Sequence, residues 1–356
     1  MNGHGARRVH WSSLRDFYVQ VFRSVGVPAD LAELPARVLL EADLVGNRTH
    51  GMRRLPSYVD RLRRGGTTAA ARPEVSERGG VVRVDGHNAL GQVVGHQLME
   101  EVSAQADHRG YCLGFARNSN HAGALGYYPK LAASRNQIGI FVSGGASNIA
   151  PPGGTRAVLG NNPWSVAIPF SEFPIVMDLA PGETITDYLQ AVQRGDDRIP
   201  LGLALDGYGQ GTESASAALD GSVLPAGGHK GFALTLLLEV LASVMSGAAF
   251  STDIPDYRLP HRPKRLGHFA LAMRTDLLME SAEFTRRIEH LASMIREQPA
   301  AVGSVQAPRL PGQRAARMRA HHYTTGLVVE PDVRDLLKGI ADGLGVSLPS
   351  ELIESN

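Results

Sequence analysis

Arg117-Asn118-Ser119-Asn120-His121-Ala122-Gly123-Ala124-Leu125-Gly126 sits between two different periodicities. The apolar run Leu113 to Ala116 ahead of it reads as a strand, and the pattern from Tyr127 to Arg135 behind it reads as a helix. A strand therefore delivers a loop that a helix carries away. The small residues of that loop leave the His121 ring sterically accessible, and an imidazole held there can trade a proton near neutral pH. Working outward, Val81 to Val84 forms a short strand, Asp85-Gly86 a turn, and Gly91 to Ala106 a helix with Val94, Leu98 and Val102 inward. Further strands are expected at Ile138 to Ser143, Ser165 to Ile168 and Ile175 to Leu179, the last carrying Asp178. Strands alternate with helices, which predicts an α/β chain. Glycine-rich turns at Pro151 to Gly154 and Leu159 to Pro163 let backbone groups approach a ligand closely.

Before this region the pattern is helical. A helix from Ser12 or Ser13 to Val25 places Leu14, Phe17, Tyr18, Val21 and Phe22 on one face, and a second runs from Leu31 to Leu44. It stops at Gly46. The following residues, Asn47-Arg48-Thr49-His50-Gly51-Met52-Arg53-Arg54-Leu55, gather a hydroxyl, an imidazole and three guanidiniums at a helix end. An arginine can hold a carboxylate bidentately while a nearby histidine supplies or takes a proton. Arg48 and Arg54 stay candidates for that work; Arg53, Arg61, Arg63 and Arg64 are expected on the solvated face of the next helix. Gly65 to Gly80 reads as a connection, with a boundary there.

A second dense cluster, Leu224-Pro225-Ala226-Gly227-Gly228-His229-Lys230-Gly231-Phe232, opens the apolar helix Ala233 to Val244. Backbone N–H groups at a helix start attract phosphate, and Lys230 adds charge. It is not a P-loop, because the glycine spacing differs and no Ser or Thr follows the lysine. Nor does a GxGxxG follow a strand, so there is no Rossmann fingerprint. Gly207 to Leu219 reads as a flexible loop near the site.

Composition narrows the classes. Of 356 residues, 36 are Lys or Arg and 35 Asp or Glu, so no net field calls for nucleic acid or an anionic membrane. Cys112 is the only cysteine, which excludes an intramolecular disulfide and a cysteine-built zinc site and suits a reducing compartment. No metal is expected. No apolar h-region follows the basic N-terminus, and the longest apolar run is broken by Thr235 and Glu239, so neither signal peptide nor membrane span is expected, and the cytoplasm is the expected location.

Gly46 to Gly51 with Arg54-Leu55-Pro56 and Tyr58-Val59 resembles the Ser-His-Gly segment of the malate/L-lactate dehydrogenase family, type 2. The likeness continues in Asn118 to Gly123, Gly160 to Pro163, Asp178-Leu179-Ala180, Pro225 to Gly231, Gly267-His268-Phe269 and Pro311-Gly312. These motifs, in family order, span Glu41 to Gly312. The resemblance implies an α/β, non-Rossmann fold with a central cofactor-binding sheet flanked by helices. It also implies a helical lobe built by both termini: residues 1–75 joined by 276–356, with the catalytic and cofactor-binding domain at 76–275. A homodimer is implied too.

The family holds malate, lactate, sulfolactate and ureidoglycolate dehydrogenases, a diketogulonate reductase and reductases of cyclic imino acids, all using NAD or NADP. His50 and His121 match its proton-transferring histidines, and Arg54, with Arg48 and Thr49 beside it, matches the substrate carboxylate site. Gly145, Asn161, Asn162, Pro163, Asp178, Leu179, Ala180, His229, Lys230, Gly231, Pro311, Gly312 and Gln313 match cofactor-binding segments. The implied reaction is hydride transfer at C2 of a small 2-oxo or cyclic imino acid.

Departures from the family pattern matter as well. Where the family reads Asp-Met-Ala-Thr-Ser, this chain reads Asp178-Leu179-Ala180-Pro181-Gly182; Asn161 replaces a Thr, and Gly144-Gly145 a polar residue. Roughly three hydrogen-bonding groups are lost, each worth on the order of 0.5–1.5 kcal/mol, so cofactor affinity is expected to fall about tenfold to a thousandfold unless backbone contacts compensate. A specialised biosynthetic reductase acting on an imino acid fits these changes. Two alternatives stay open: proton-transfer chemistry by His50 and His121 without redox, and a non-catalytic binding partner.

Overall fold

The computed structural model describes residues 5–183, 197–256, 258–304 and 307–353. The chain opens with β1 (Arg7–Val9), α1 (Trp11–Ser24) and α2 (Ala29–Leu44); a 3-10 turn, Met52–Arg54, then leads into α3 (Leu55–Arg63). The expected stripe of α1, from Leu14 to Phe22, is buried throughout. Next come β2 (Glu74–Arg78), β3 (Val81–Asp85), α4 (Gly91–Arg109), β4 (Tyr111–Ser119), α5 (Pro129–Ala133) and β5 (Gln137–Ser143). Short strands β6 (Ser147–Ile149) and β7 (Leu159–Gly160) precede β8 (Trp164–Ile168) and β9 (Ile175–Leu179). Beyond them lie β10 (Ala204–Leu205), α6 (Ala215–Leu219), β11 (Ser222–Val223), α7 (His229–Glu239) and β12 (Leu266–Arg274). Helices α8 (Ser281–Arg296) and α9 (Gln313–Thr325), strand β13 (Leu327–Val329) and helix α10 (Pro331–Leu344) complete the order.

A seven-stranded sheet in the order β2-β3-β4-β12-β5-β8-β9 forms the centre. Within this sheet β3 and β4 run parallel, with α4 as their crossover, and its other pairs are antiparallel. Alternation of strands and helices thus yields one βαβ unit inside an otherwise antiparallel sheet. Helix α4 lies close on β4: a Cβ on Gly114 would come within 2.7 Å of Val102. Val84, Leu98, Val102, Phe141 and Ala270 bury together beneath that sheet face. A four-stranded sheet, β10-β11-β6-β7, stands apart, and β1 pairs with β13.

A separate helical core unites Leu14, Phe17, Phe22 and Leu55 with Leu327, Val333 and Leu337, so β13 and α10 return to the N-terminal helices. Helix α8 goes elsewhere: Ile288 and Ala292 pack with Ile175 and Leu310 at the β9 edge of the sheet.

Four element readings change. Gly65 to Gly80 holds strand β2, hidden from periodicity because all five of its residues are exposed. Strand β12, the sheet's middle strand, is read from the sequence only as a motif, although the apolar run Phe269 to Met273 after His268 is that of a strand buried on both faces. The apolar helix begins at His229, not Ala233, and ends in a π turn at Val240–Val244, which places Lys230 in its first turn. Gly207 to Leu219 includes α6, whose cap Ser214 accepts the Ala217 N–H. No described helix is long and apolar enough to cross a membrane.

Candidate active site

His121 follows the C-terminal end of β4, and its neighbours are clamped one by one. Ser119 Oγ lies 2.7 Å from Nε2 of the buried His268 on β12. Asn120 donates to the Asn88 and Ala89 carbonyls at 3.2 and 2.9 Å and accepts from Arg61 at 2.9 Å. A Cβ on Gly91, at the start of α4, would run into the Asn120 and His121 carbonyls, so the helix start forms a floor beneath the loop. The His121 Nδ1 atom accepts the Gly123 N–H at 3.2 Å and lies 2.7 Å from the Tyr58 hydroxyl of α3.

His50 sits in the turn after α2. Its Nδ1 lies 2.8 Å from Thr49 Oγ1 and 3.2 Å from Asn47 Oδ1, and the Thr49 hydroxyl donates to that same Oδ1 at 3.0 Å. Behind the turn, buried Asp43 accepts the Met52 N–H at 2.9 Å and the Tyr18 hydroxyl at 2.6 Å. A Cβ on Gly51 would overlap the Asp43 carboxyl, so glycine is required at that close approach.

The two imidazole rings stand 5.4 Å apart at 22°, brought together from segments distant in the chain. Both are deeply set yet keep an accessible edge. Loss of hydration lowers the His50 pKa from 6.5 to about 4, and the Arg54 guanidinium pushes in the same direction. His121 falls well below the usual range, chiefly by burial and then by Arg54. Both shifts favour the neutral ring. Burial likewise raises the Asp43 carboxyl to about 7.

The basic cluster divides. Arg54, at the start of α3, acts on both rings. Arg48 is exposed on the turn, and Arg53 pairs with Asp332 at 2.7 Å. Arg63 and Arg64 are exposed, as the solvated-face reading expects. Arg61 corrects that reading: it is 5% exposed and holds the Gly66 carbonyl, Asn120 Oδ1 and the Arg262 carbonyl. Arg54 caps the start of α3, and Tyr58 and Arg61 follow it four and seven residues on, a spacing by which Tyr58 and Arg61 could have been found. Asn47 and Asp43 could not have been found that way, because their partners are set by the turn.

The expected cofactor segments converge on the same sheet end. Asp178 Oδ2 accepts the Gly126 N–H at 2.9 Å, tying β9 to the His121 loop, while Leu179 and Ala180 are exposed. Asn162 is fully buried; its Oδ1 accepts the Gly145 N–H at 3.1 Å, and its amide donates to Glu239 on α7. The Pro163 carbonyl accepts the Ser143 N–H at 3.0 Å. Asn161 Oδ1 accepts the Gly182 N–H at 2.9 Å, and the Pro181 carbonyl accepts the Ala226 N–H at 2.8 Å. Gly231 packs on the Ala226 carbonyl. Gly312, at φ 81°, packs on Val176 of β9, and Gln313 accepts the Leu310 N–H.

The donor set fits a dinucleotide. Gly227 and Gly228 take φ of 70° and 64°, and a Cβ added to either would meet nothing within 4 Å, so the first turn of α7 presents its N–H groups, His229 and Lys230 to open space. Ser147 Oγ and Asn148 Oδ1, just beyond Gly145, are buried without a hydrogen-bond partner. Among the described residues, no group of three or more His, Cys, Asp or Glu is placed to hold a metal ion.

The chain is similar to known proteins along most of its length. The family model for malate/L-lactate dehydrogenase matches residues 9–338. The malate/(S)-sulfolactate dehydrogenase of Methanothermus fervidus is 30% identical over 335 residues, covering 94% of this chain and 97% of that protein. A Delta(1)-pyrroline-2-carboxylate/Delta(1)-piperideine-2-carboxylate reductase of Pseudomonas putida is 29% identical over 346 residues, covering 95% and 97%. The crystal structure of malate dehydrogenase from Entamoeba histolytica superposes with a TM-score of 0.91 at 25% identity, covering 97% of this chain and 99% of that one. Matched by the family model over most of its length and 30% identical to a relative along nearly all of it, the chain belongs to the malate/L-lactate dehydrogenase family.

Proposed function

We propose that this protein is an NAD(P)H-dependent oxidoreductase that reduces a small 2-oxo acid or cyclic imino acid at C2 and runs the reverse reaction on the corresponding 2-hydroxy or amino acid. The carrying observation is the pair of imidazoles 5.4 Å apart beside Arg54, tied through Gly126 and Asp178 to the glycine-rich cofactor segments. NAD(H) or NADP(H), when bound, supplies or accepts the hydride.

The remaining work belongs to this chain. Arg54 holds the substrate carboxylate, with Arg48 at the rim and Thr49 acting through His50. The α7 start, with His229, Lys230 and Gly231, holds the diphosphate. Gly145, Asn161, Asn162, Pro163, Asp178 to Ala180 and Pro311 to Gln313 shape the nicotinamide side. His50 and His121 handle the proton.

We assign 76–275 to catalysis and cofactor binding and the helical core of both termini to its support. The protein works in the cytoplasm as a homodimer. The apolar stripe of Leu236, Leu237 and Val240 left exposed on α7 and its π turn supports association with a second copy.

The test is loss of reduced-nicotinamide absorbance against a panel of 2-oxo acids and cyclic imino acids, with NADH and NADPH in separate arms. Turnover with at least one acid is expected. Failure of both dinucleotides to bind at millimolar concentration overturns the reading.

A further inference from the structure

We propose that Glu239 is a positioning residue of the dinucleotide site: its buried carboxylate fixes the amide orientation of Asn162, which in turn holds the Gly145 N–H and keeps the nicotinamide-side turns in register with the α7 start. The proposal rests on the cofactor reading of Gly145 and Asn162 for its consequence, and on the hydrogen bonds of this chain for its mechanism.

Helix α7 with its π turn is amphipathic in the inverted sense. From Ala233 to Val244 the sole charged residue is Glu239. In a surface helix such a charge faces water and the leucines face the core. Here Thr235, Glu239 and Ser243, spaced four apart, are at most 2% exposed, whereas Leu236, Leu237, Val240 and Val244 are at least 36% exposed. A carboxylate buried among apolar side chains is costly unless its oxygens are occupied. The inward stripe meets that demand on the turns between Gly144 and Asn162: a Cβ on Gly144 would run into Ser243 Oγ, and Thr235 and Glu239 both engage Asn162.

Among the described residues, every hydrogen-bonding neighbour of Glu239 donates to it. Oε1 accepts the Ser251 N–H at 2.7 Å, and Oε2 accepts the Asn162 carboxamide and, at 3.4 Å, the Gly160 N–H. A carboxamide beside an acceptor-only group must turn its NH2 toward it. The Thr235 carbonyl, 3.3 Å from the same nitrogen, imposes the same orientation. On the other side Asn162 Oδ1 meets the Gly145 N–H at 3.1 Å, and that group can only donate. The amide is therefore oriented from both ends. Reversing it would set two donors face to face at Gly145 and two acceptors face to face at Glu239.

Asn162 has a φ of 33°, in the left-handed region where a residue with a Cβ is strained, so contacts rather than backbone preference keep its turn. Two of those contacts come from α7. The Thr235 hydroxyl also donates to the Gly231 carbonyl at 2.8 Å, in the first turn. Glu239 lies eight residues beyond Gly231, about 12 Å along the helix axis. One helix thus carries the diphosphate end of the site, and one polar chain from that helix holds the nicotinamide end.

Glu239→Gln tests this with little change of shape. When the new amide faces Asn162, Asn162 reverses and the Gly145 N–H loses its acceptor; when it faces Ser251, two donors meet there. The double variant Glu239→Gln with Asn162→Asp exchanges the polarity of the pair, so that the new amide donates to the new carboxylate and the Gly145 N–H keeps an acceptor.

Dissociation constants of NADH and NADPH are measured on the full-length protein by fluorescence titration, with Tm recorded alongside. Glu239→Gln should weaken binding about 10- to 100-fold, for a hydrogen bond lost with its buried partners left unpaired. The double variant should regain most of that loss. Leu337→Ala, in the helical core, should lower Tm and leave affinity unchanged, which separates positioning from stability. Wild-type affinity in Glu239→Gln, or a double variant that binds no more tightly than Glu239→Gln, overturns the proposal.

Hydrogen–deuterium exchange at the Gly145 amide supplies the second arm, on the protein without cofactor. Exchange should be faster by about tenfold in Glu239→Gln, for one hydrogen bond of protection, and slow again in the double variant. Unchanged exchange in Glu239→Gln overturns the proposal whether or not a dinucleotide binds. Failure of both dinucleotides to bind the wild type counts against the oxidoreductase reading alone, because the amide is read on the protein itself.

Discussion

Arg54 joins substrate binding to proton affinity in one side chain, because its guanidinium bears on both imidazoles. A bound carboxylate cancels that field and raises the proton affinity of His50 at the moment a proton is needed. Arg54→Gln removes the field permanently. Sign and size follow: KM should rise about 10- to 100-fold, for the loss of charge-assisted bonds worth roughly 1.5–3 kcal/mol. In the oxidative direction, where neutral His50 takes the proton, the acid limb of kcat/KM should also move upward from about 4, part of the way only because burial remains, as a pH–rate profile would show. Asp43 makes the opposite kind of contribution. Its carboxyl is raised from 3.8 to about 7, so the folded protein keeps a proton that the unfolded chain releases. That stabilisation is complete below pH 4 and is lost as pH rises through 7, a change on the order of 4 kcal/mol. Asp43→Asn should abolish this dependence, so its deficit in urea unfolding relative to wild type should shrink between pH 4 and pH 7. His50 and His121 were legible as chemistry-bearing residues from their dense, small-residue surroundings. Asn47 was not, because the partner of a ring nitrogen in a turn is set by how that turn folds, and spacing does not show that.

At the scale of elements, the departures at Asn161 and Pro181-Gly182 are one device rather than separate losses. Asn161 Oδ1 takes the Gly182 N–H, and a Cβ on Gly182 would come within 2.6 Å of that oxygen, so the amide and the glycine require each other. The joined turn also holds Ala226 through the Pro181 carbonyl, just ahead of the α7 start. Backbone contacts thus take over part of what lost hydroxyls would do. Asn161→Ala should weaken NADH or NADPH binding about 2- to 10-fold, for the loss of one hydrogen bond of roughly 0.5–1.5 kcal/mol, as measured by fluorescence titration. Unchanged affinity would show that the turn is held by its other bonds. Helices α1, α2 and α4 were legible because each buries a periodic face or runs between clear signals. Strand β2 was not, because a strand with no buried side chain leaves no alternation to read.

For the whole molecule, buried imidazoles dominate the response to acid. His50 is lowered to about 4 and His268 to about 3, both mainly by burial, and His121 is also strongly lowered. Depressed histidines leave the unfolded chain with more bound protons below about pH 6.5, so their stabilisation is present above that pH and is lost on the way down to 4. Asp43 and Asp178, whose carboxyls burial raises, oppose them, but burial lowers His96 as well, so four imidazoles act against two carboxyls. Thermal unfolding should therefore show Tm falling by on the order of 5 °C or more between pH 6.5 and pH 4.5. A flat or rising Tm over that interval would mean that the rings are hydrated in solution. By itself the sequence determined the α/β class, the principal helices and strands, the family and the two histidines, because periodicity and local motifs are properties of neighbours in the chain. Only the tertiary structure decided that β12 lies between β4 and β5, that Arg61 is buried against Asn120, and that the two imidazoles meet. Those outcomes depend on groups far apart in sequence competing for the same buried donors and acceptors, and that competition is settled only when the chain has closed on itself.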